Sequence, residues 1–193
     1  MQTFFEFSAL FLFYSLFAFS ILVALMGLIN LVFIKKPIIY DQSKASVLVS
    51  VLIPARNEEV NIKRCIYSLI DQSYKNLEII ILDDDSSDQT FEIAQELAKK
   101  FQFISVVKGE KKSKGWTGKN WACYQLSKYA KGDYLLFIDA DTKLQKNTIG
   151  ESVSEMNSKD IDLISLFPNR ITKTAVDKVI SVTIGWFIFS CLP

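Results

Sequence analysis

Three short runs gather the residues of this chain whose types and spacing can do chemistry. They are Pro54-Ala55-Arg56-Asn57-Glu58-Glu59, then Asp83-Asp84-Asp85 with Ser86, Ser87 and Asp88 behind it, and Asp139-Ala140-Asp141. Carboxylates brought to one edge of a partly dry crevice repel one another, so a site built from them calls for a cation. The chain has no histidine, which removes the usual general base and the usual zinc ligand. A metal held here is therefore a hard cation on oxygen, Mg2+ or Mn2+. Alternate residues of an extended segment point to opposite sides, so Asp139 and Asp141 can share a metal only if the chain turns at Ala140. One of them, with the two phosphates of a nucleotide and water, already suits Mg2+, which keeps several of its waters.

Each run also has a plainer use. Asp85, Ser86, Ser87 or Asp88 can cap a following helix, and Asp is common in turns. Glu58 and Glu59 can stabilise a helix dipole. Arg56 can stack on a base or pair with a carboxylate. Asp83 and Asp84 precede the capping region, where a crevice carboxylate can accept hydrogen bonds from a base imide or a ribose hydroxyl. The stretch Lys108 to Gly118 holds four lysines and three glycines without apolar periodicity, and is the segment expected to be most mobile. Its lysines are a solvated surface or, for Lys114 and for Lys119 just beyond it, a means of neutralising a diphosphate leaving group.

The elements that must position these residues show in the apolar pattern. Ser46 to Pro54 and Leu77 to Leu82 are runs rich in Val, Leu and Ile, as strands buried on both faces should be. Tyr134 to Ile138 and a shorter run at Ile104 to Val107 are further strands, and Ile161 to Phe167 is expected to be another. Between them, helices are expected from a cap at Asn57 through Ile70, over Asp88 to Phe101, over Lys119 to Tyr129 and over Asn147 to Met156. Strands alternating with helices predict an α/β fold with a mainly parallel sheet. In such sheets the ligand crevice lies beyond the carboxyl ends of the strands, which is where the acidic runs fall.

Ahead of this domain, Phe4 to Ile34 is almost uninterruptedly apolar, with Glu6 its one charge. A membrane core needs about 20 such residues in a helix, and a signal peptide would have a basic start and a shorter apolar run. Residues 1–36 are expected to be a retained anchor. Lys35 and Lys36 follow the apolar run and no Lys or Arg precedes it, which places the downstream domain in the cytoplasm. Cys65, Cys123 and Cys191 are odd in number and widely spaced, as reduced packing residues are. A net charge of +1 gives no argument for nucleic acid. A last apolar segment, Ala175 to Leu192, reads as the start of a second membrane-associated helix.

Taken in order, the strings VSVLIPARNEEVNIKRCIYSLIDQSY, LEIIILDDDSSDQT, GWTGKNWAC and GDYLLFIDADT resemble family-2 glycosyltransferases of the GT-A fold over about Ser46 to Arg170. GWTGKNWAC and SLFPNR are similar to the carotenoid- and hopanoid-associated branch. The resemblance implies a membrane enzyme that uses a UDP-sugar donor and an inverting displacement onto a lipid acceptor, such as a carotenoid carboxylate or hopanoid. It places Pro54, Arg56 and Glu58 against the nucleoside and gives Asp84 the base or ribose. Asp139 and Asp141 match the family's Asp-X-Asp, with Asp141 the metal ligand expected first. The family's general base and its Gln-X-X-Arg-Trp motif have no match before Pro193, so the base is expected beyond that residue and residues 174–193 are expected to open the acceptor side. A polyprenyl-phosphate acceptor, or a non-catalytic membrane protein that keeps a nucleotide-binding fold, are the other readings.

Overall fold

The structure, a computed structural model, describes residues 2–33, 47–168, 172 and 174–191. It divides into two units, one of residues 37–164 and one that joins residues 1–36 to 165–193. Lys35, Lys36 and the connector Pro37 to Ala45, which carried the orientation argument, lie outside the described residues, as do Asn169 and Arg170 of SLFPNR.

The larger unit is a four-stranded sheet in the order β3-β2-β1-β4, with every pairing parallel. Its strands are β1 (Val49–Ala55), β2 (Leu77–Asp83), β3 (Ile104–Lys108) and β4 (Tyr134–Phe137). Between and after them run α2 (Ile62–Ile70), α3 (Thr90–Lys100), α4 (Gly118–Tyr129) and α5 (Thr148–Lys159), with α1 (Gln2–Phe33) and α6 (Ala175–Cys191) in the other unit. Side chains of a strand alternate between faces, and the core divides accordingly. Val51, Ile53, Ile79 and Ile81 belong to the layer that holds Ile62, Cys65, Ile66 and Leu69 of α2 and Ala94 and Leu97 of α3. On the opposite face Leu52, Ile80 and Leu82 pack against Ala122 and Leu126 of α4. Burial on both faces is why β1 and β2 are apolar at successive positions, apart from Ser50, Glu78 and the final Asp83.

The strand ends are staggered. β1 pairs with β2 up to Ala55 opposite Asp83, but with β4 only up to Leu52 opposite Phe137. Pro54, expected to end β1, lies within it. Leu52 accepts from Ile138 on the β4 side and Ala55 accepts from Asp84 on the β2 side, so by alternation Pro54 faces the side where pairing has stopped. Its missing N–H forfeits no ladder bond there. The chain order reverses at this point, since β1, β2 and β3 step one way across the sheet and β4 sits on the other side of β1. Such a reversal opens a crevice.

Two expectations are corrected. The helix after β1 begins at Ile62 rather than at a cap on Asn57, because Asn57 takes a left-handed φ of 55° and turns the chain instead. Asn tolerates that conformation where most residues do not. The strand expected at Ile161 to Phe167 does not form, and Leu163 (85% exposed) and Phe167 (64%) face solvent. Asp160, at a φ of 50°, turns the chain out of α5, and no described residue pairs with the segment that follows. A strand without a neighbour leaves its backbone groups to water.

In the smaller unit α1 contains one stretch, Phe7–Asn30, of 24 residues that is long and apolar enough to cross a membrane, with none of it buried. Two of its hydroxyls bond within the helix. Ser15 donates to the Phe11 carbonyl at 2.7 Å and Ser20 to that of Leu16 at 2.8 Å, each to the carbonyl four residues back. α6 lies against α1 within this unit.

Candidate functional site

The turns after β1 and β2 are built as a pair. Asn57 and Asp85 both have left-handed backbones, with φ of 55° and 59°, and they throw the two turns side by side. Ser87 N donates to Asn57 Oδ1 at 2.8 Å, Glu58 N to Thr90 Oγ1 at 2.7 Å, and Gln89 N to Glu59 Oε2 at 3.0 Å. Asp88 accepts from Glu59 N at 3.1 Å and from Thr90 N at 3.0 Å. This lattice uses up Asn57, Glu59, Ser87 and Asp88 structurally. It leaves Arg56 and Asp84 free to face the crevice, where Arg56 Nη1 lies 3.9 Å from Asp84 Oδ2. Asp83 is on the other face of β2, 6% exposed, with Oδ1 unbonded among the described residues.

A second contact joins α4 to the same place. The first residue of α4, Gly118, sits over Asp84, so that a Cβ added there would lie 3.7 Å from Asp84 Oδ2. The next residue, Lys119, places its ammonium 2.6 Å from Asp139 Oδ1. That hydrogen bond holds the Lys119 ammonium above its ordinary pKa. One turn on, burial raises the Cys123 thiol, with Lys119 pulling it down and Asp139 pushing it up. The segment expected to be most mobile is tied to α4 at its near end. Gln125 Oε1 accepts from Glu110 N at 2.6 Å, Trp121 Nε1 donates to the Glu110 carbonyl at 3.0 Å, and Trp116 stacks on Tyr124 at 5.0 Å. Gly109 sits in a close fit where this segment leaves β3, since a Cβ there would crowd Leu82 Cδ2 at 3.0 Å and the Asp83 carbonyl at 3.2 Å.

The third corner is the Asp139-Ala140-Asp141 turn. Thr142 N donates to the Asp139 carbonyl at 3.0 Å, so the chain does turn at Ala140, whose side chain is buried at 3% exposure. Asp139 and Asp141 are thereby released from the strict alternation of a strand, and both are exposed. Cys65 of α2 lies beneath them. Burial first, then the charges of Asp141, Asp139 and Glu58, push its thiol up to about 12 against the pull of Arg64. One sulfur atom thus feels carboxylates from the ends of both β1 and β4.

The structure therefore brings Arg56, Asp84, Lys119, Asp139 and Asp141 to one edge of the sheet, and Glu58 beside them. Pro54 lies in β1 just below. Lys114 stands apart, exposed and without an ion pair to these carboxylates among the described residues. Two residues that the sequence did not single out belong to the site. Arg64 Nη2 donates to the Asp141 carbonyl at 3.1 Å and to Asn61 Oδ1 at 3.2 Å, and Asn61 Nδ2 in turn donates to Glu58 Oε2 at 2.9 Å. The only signal for them was a polar pair spaced three apart at the start of a helix, which is also how a solvated face looks.

For a divalent cation the donor set is limited but suitable. No group of three or more metal-binding side chains occurs among the described residues. Two exposed carboxylates on one turn, one of them already holding an ammonium, are nonetheless what Mg2+ or Mn2+ needs when a diphosphate and water complete its shell. A cavity of 220 Å³ lined by Leu69, Tyr74, Leu77 and Phe101 opens at the start of β2, the wrong end of the sheet for this chemistry.

Residues 50–181 match the family described as Glycosyl transferase family 2. The chain belongs to that family. It is 39% identical over 105 residues to a 4,4'-diaponeurosporenoate glycosyltransferase of Staphylococcus haemolyticus, covering 54% of this chain and 27% of that protein. To the protein of the same description in Staphylococcus aureus it is 31% identical over 152 residues, covering 74% of this chain and 39% of the relative. A solved mannosyltransferase from Pyrobaculum calidifontis, in complex with GDP-Man and Mn2+, superposes with a TM-score of 0.57 at 22% identity, over 70% of this chain and 40% of that one. This likeness supports the GT-A family-2 fold. The chain spans about two fifths or less of the length of these curated relatives.

Proposed function

We propose that residues 46–170 form the donor-binding domain of a membrane-anchored, inverting family-2 glycosyltransferase that takes a UDP-sugar and delivers the sugar to a lipid acceptor. The observation that carries this reading is the meeting of Arg56 with Asp84, and of Lys119 with Asp139, at the carboxyl ends of β1, β2 and β4. Asp84 accepts from the base or ribose, and Arg56, mostly exposed, is released from it to lie on the base. Pro54 and Glu58 line the nucleoside side. Lys119, with Lys114 from its loop, faces the diphosphate. Asp141 and Asp139 hold Mg2+ or Mn2+, which when bound supplies positive charge to the departing diphosphate.

The acceptor proposed is a hydrophobic acid of the kind named in the staphylococcal relatives, or a hopanoid. A carboxylate acceptor is already ionised at neutral pH and can attack without losing a proton first, whereas a hydroxyl acceptor needs a carboxylate base. Such a base is expected from the part of the relatives that this chain does not span. α1 anchors the protein in the cell membrane with the sheet on the cytoplasmic side, and α6 opens the acceptor side.

Titrating the full chain in detergent with UDP, with and without Mn2+, tests the reading. Binding of UDP that Mn2+ strengthens is expected, and GDP should compete poorly. No binding of either nucleotide would leave the fold as a scaffold without a donor site.

A further inference from the structure

We propose that Arg64 is the positioning residue of the Asp139–Asp141 turn: from α2 it grips the Asp141 carbonyl and so fixes the two carboxylates without neutralising them. The inference rests on the reading that this turn carries the cation and diphosphate, and it adds a residue to that site.

Besides the Cys65 Sγ contact on the Asp139 carbonyl at 3.8 Å and the Lys119 contact on the Asp139 carboxylate, the turn has three restraints. Its own hydrogen bond runs from Thr142 N to the Asp139 carbonyl at 3.0 Å. Ala140 is sunk into the core at 3% exposure. The third is the guanidinium, which donates from Nη2 to the Asp141 carbonyl at 3.1 Å and to Asn61 Oδ1 at 3.2 Å. Both hydrogens of one nitrogen are thus used on neutral oxygens. Among the described residues Arg64 is not within ion-pair distance of any carboxylate, although its charge is felt at the neighbouring Cys65. Lys119 differs, because it sits directly on Asp139 Oδ1. The two cations therefore have separate roles. Lys119 occupies a carboxylate oxygen, while Arg64 holds the backbone and leaves the Asp141 carboxylate open.

Arg64 also links the site's two sides. Asn61, which accepts from Arg64, donates to Glu58 Oε2 at 2.9 Å, so the turn after β1 and the turn after β4 are joined through two side chains. A lysine is a poor replacement, since its ammonium lies one bond nearer the backbone than Nη2 and rotates, whereas the planar guanidinium holds the two Nη2 hydrogens in fixed directions toward both oxygens.

The test uses Arg64→Ala and Arg64→Lys in the full chain. UDP binding in the absence of Mn2+ is expected to weaken less than the Mn2+-dependent gain does in both, since Arg64 reaches the nucleoside side only through Asn61 and Glu58. The gain in UDP affinity on adding Mn2+ is expected to fall about tenfold in both, or about 1.4 kcal/mol. In metal-free protein the Thr142 amide should exchange its hydrogen faster while the amides of β1 and β2 are unchanged. An undiminished Mn2+ gain, or full recovery by lysine, would overturn the proposal and leave Arg64 a surface charge. Unmodified protein indifferent to Mn2+ would instead refute the donor reading, and Thr142 exchange would still show by itself whether Arg64 holds the turn.

Discussion

Replacing Lys119 by Met removes one charge with little change of shape, and separates what the ammonium does for the fold from what it does for a ligand. In the free protein Lys119 and Asp139 are in contact at 2.6 Å, but their side chains are 64% and 56% exposed. An ion pair so well wetted contributes about 0–1 kcal/mol, so Lys119→Met should move the Tm by no more than about 4 °C. A diphosphate about 4 Å from the ammonium gains about 1 kcal/mol per charge in water and about 4 at an effective dielectric of 20. The exposure puts this site near the wet end, and a loss of about 1–2 kcal/mol corresponds to UDP binding weakened about 5- to 30-fold. Uridine, which has no phosphate, should bind unchanged. Mn2+ alone should bind more tightly, because Asp139 no longer carries a competing cation. Calorimetric titration of UDP, uridine and Mn2+ against both proteins measures all three, and raising the salt should shrink the UDP difference. Equal losses for uridine and UDP would mean that Lys119 shapes the crevice rather than meeting a diphosphate, and the reasoning would fail.

Asp84→Ala should weaken uridine and UDP alike, with or without Mn2+, whereas Asp141→Ala should remove mainly the Mn2+-dependent part of UDP binding; titration of both mutants under both conditions decides. Gly132→Ala should destabilise the sheet unit by about 1–3 kcal/mol or more, read as a lower Tm, because a Cβ there would lie 2.6 Å from the Leu48 carbonyl and 2.7 Å from Ser50 N, neither of which can swing aside. Cys65 has a folded pKa of about 12 against an ordinary 9.0, so the stabilisation of its neutral thiol is complete below pH 9 and is lost as pH rises toward 12. Its share of the fall in stability is at most about 1.4 kcal/mol per pH unit, and Cys65→Ala should make denaturation above pH 9 less steep. A protease site inserted after the exposed Lys159 should resist protease added outside intact cells, and cleavage there would overturn the cytoplasmic placement.

The strands and their order of chemistry were legible because burial on two faces forces long apolar runs, and β1 and β2 could hardly be anything else. The acidic residues were legible because they stand where those runs stop. What the sequence hid depends on partners. Asn57 looked like a helix cap, and only the neighbouring turn, with Ser87 offering its N–H, shows that the amide side chain is used sideways. Ile161 to Phe167 has the composition of a strand, but composition does not supply an adjacent strand to bond with. Ala140 itself gave no sign of a turn, since the bond that closes it joins two backbone groups, Thr142 N and the Asp139 carbonyl. Arg64 was invisible because its acceptor is a backbone carbonyl 77 residues away.

The staggered strand ends set a ruler into the sheet. β4 stops opposite Leu52 while β1 and β2 continue to Ala55 and Asp83, a difference of three residues, or about 10 Å at the rise of a strand. The carboxyl edge of the sheet therefore has a step, with Asp84 one residue past the end of the upper tread and Asp139 two residues past the end of the lower. The height of that step is set by backbone length, and no single side-chain replacement can alter it. Two residues added to β4 would lift the lower tread by about 7 Å and close most of the step, preserving alternation and core packing as they did so. A sheet of this type can thus be fitted to a longer or shorter ligand by lengthening or trimming one strand, with every ligand-facing side chain left as it is.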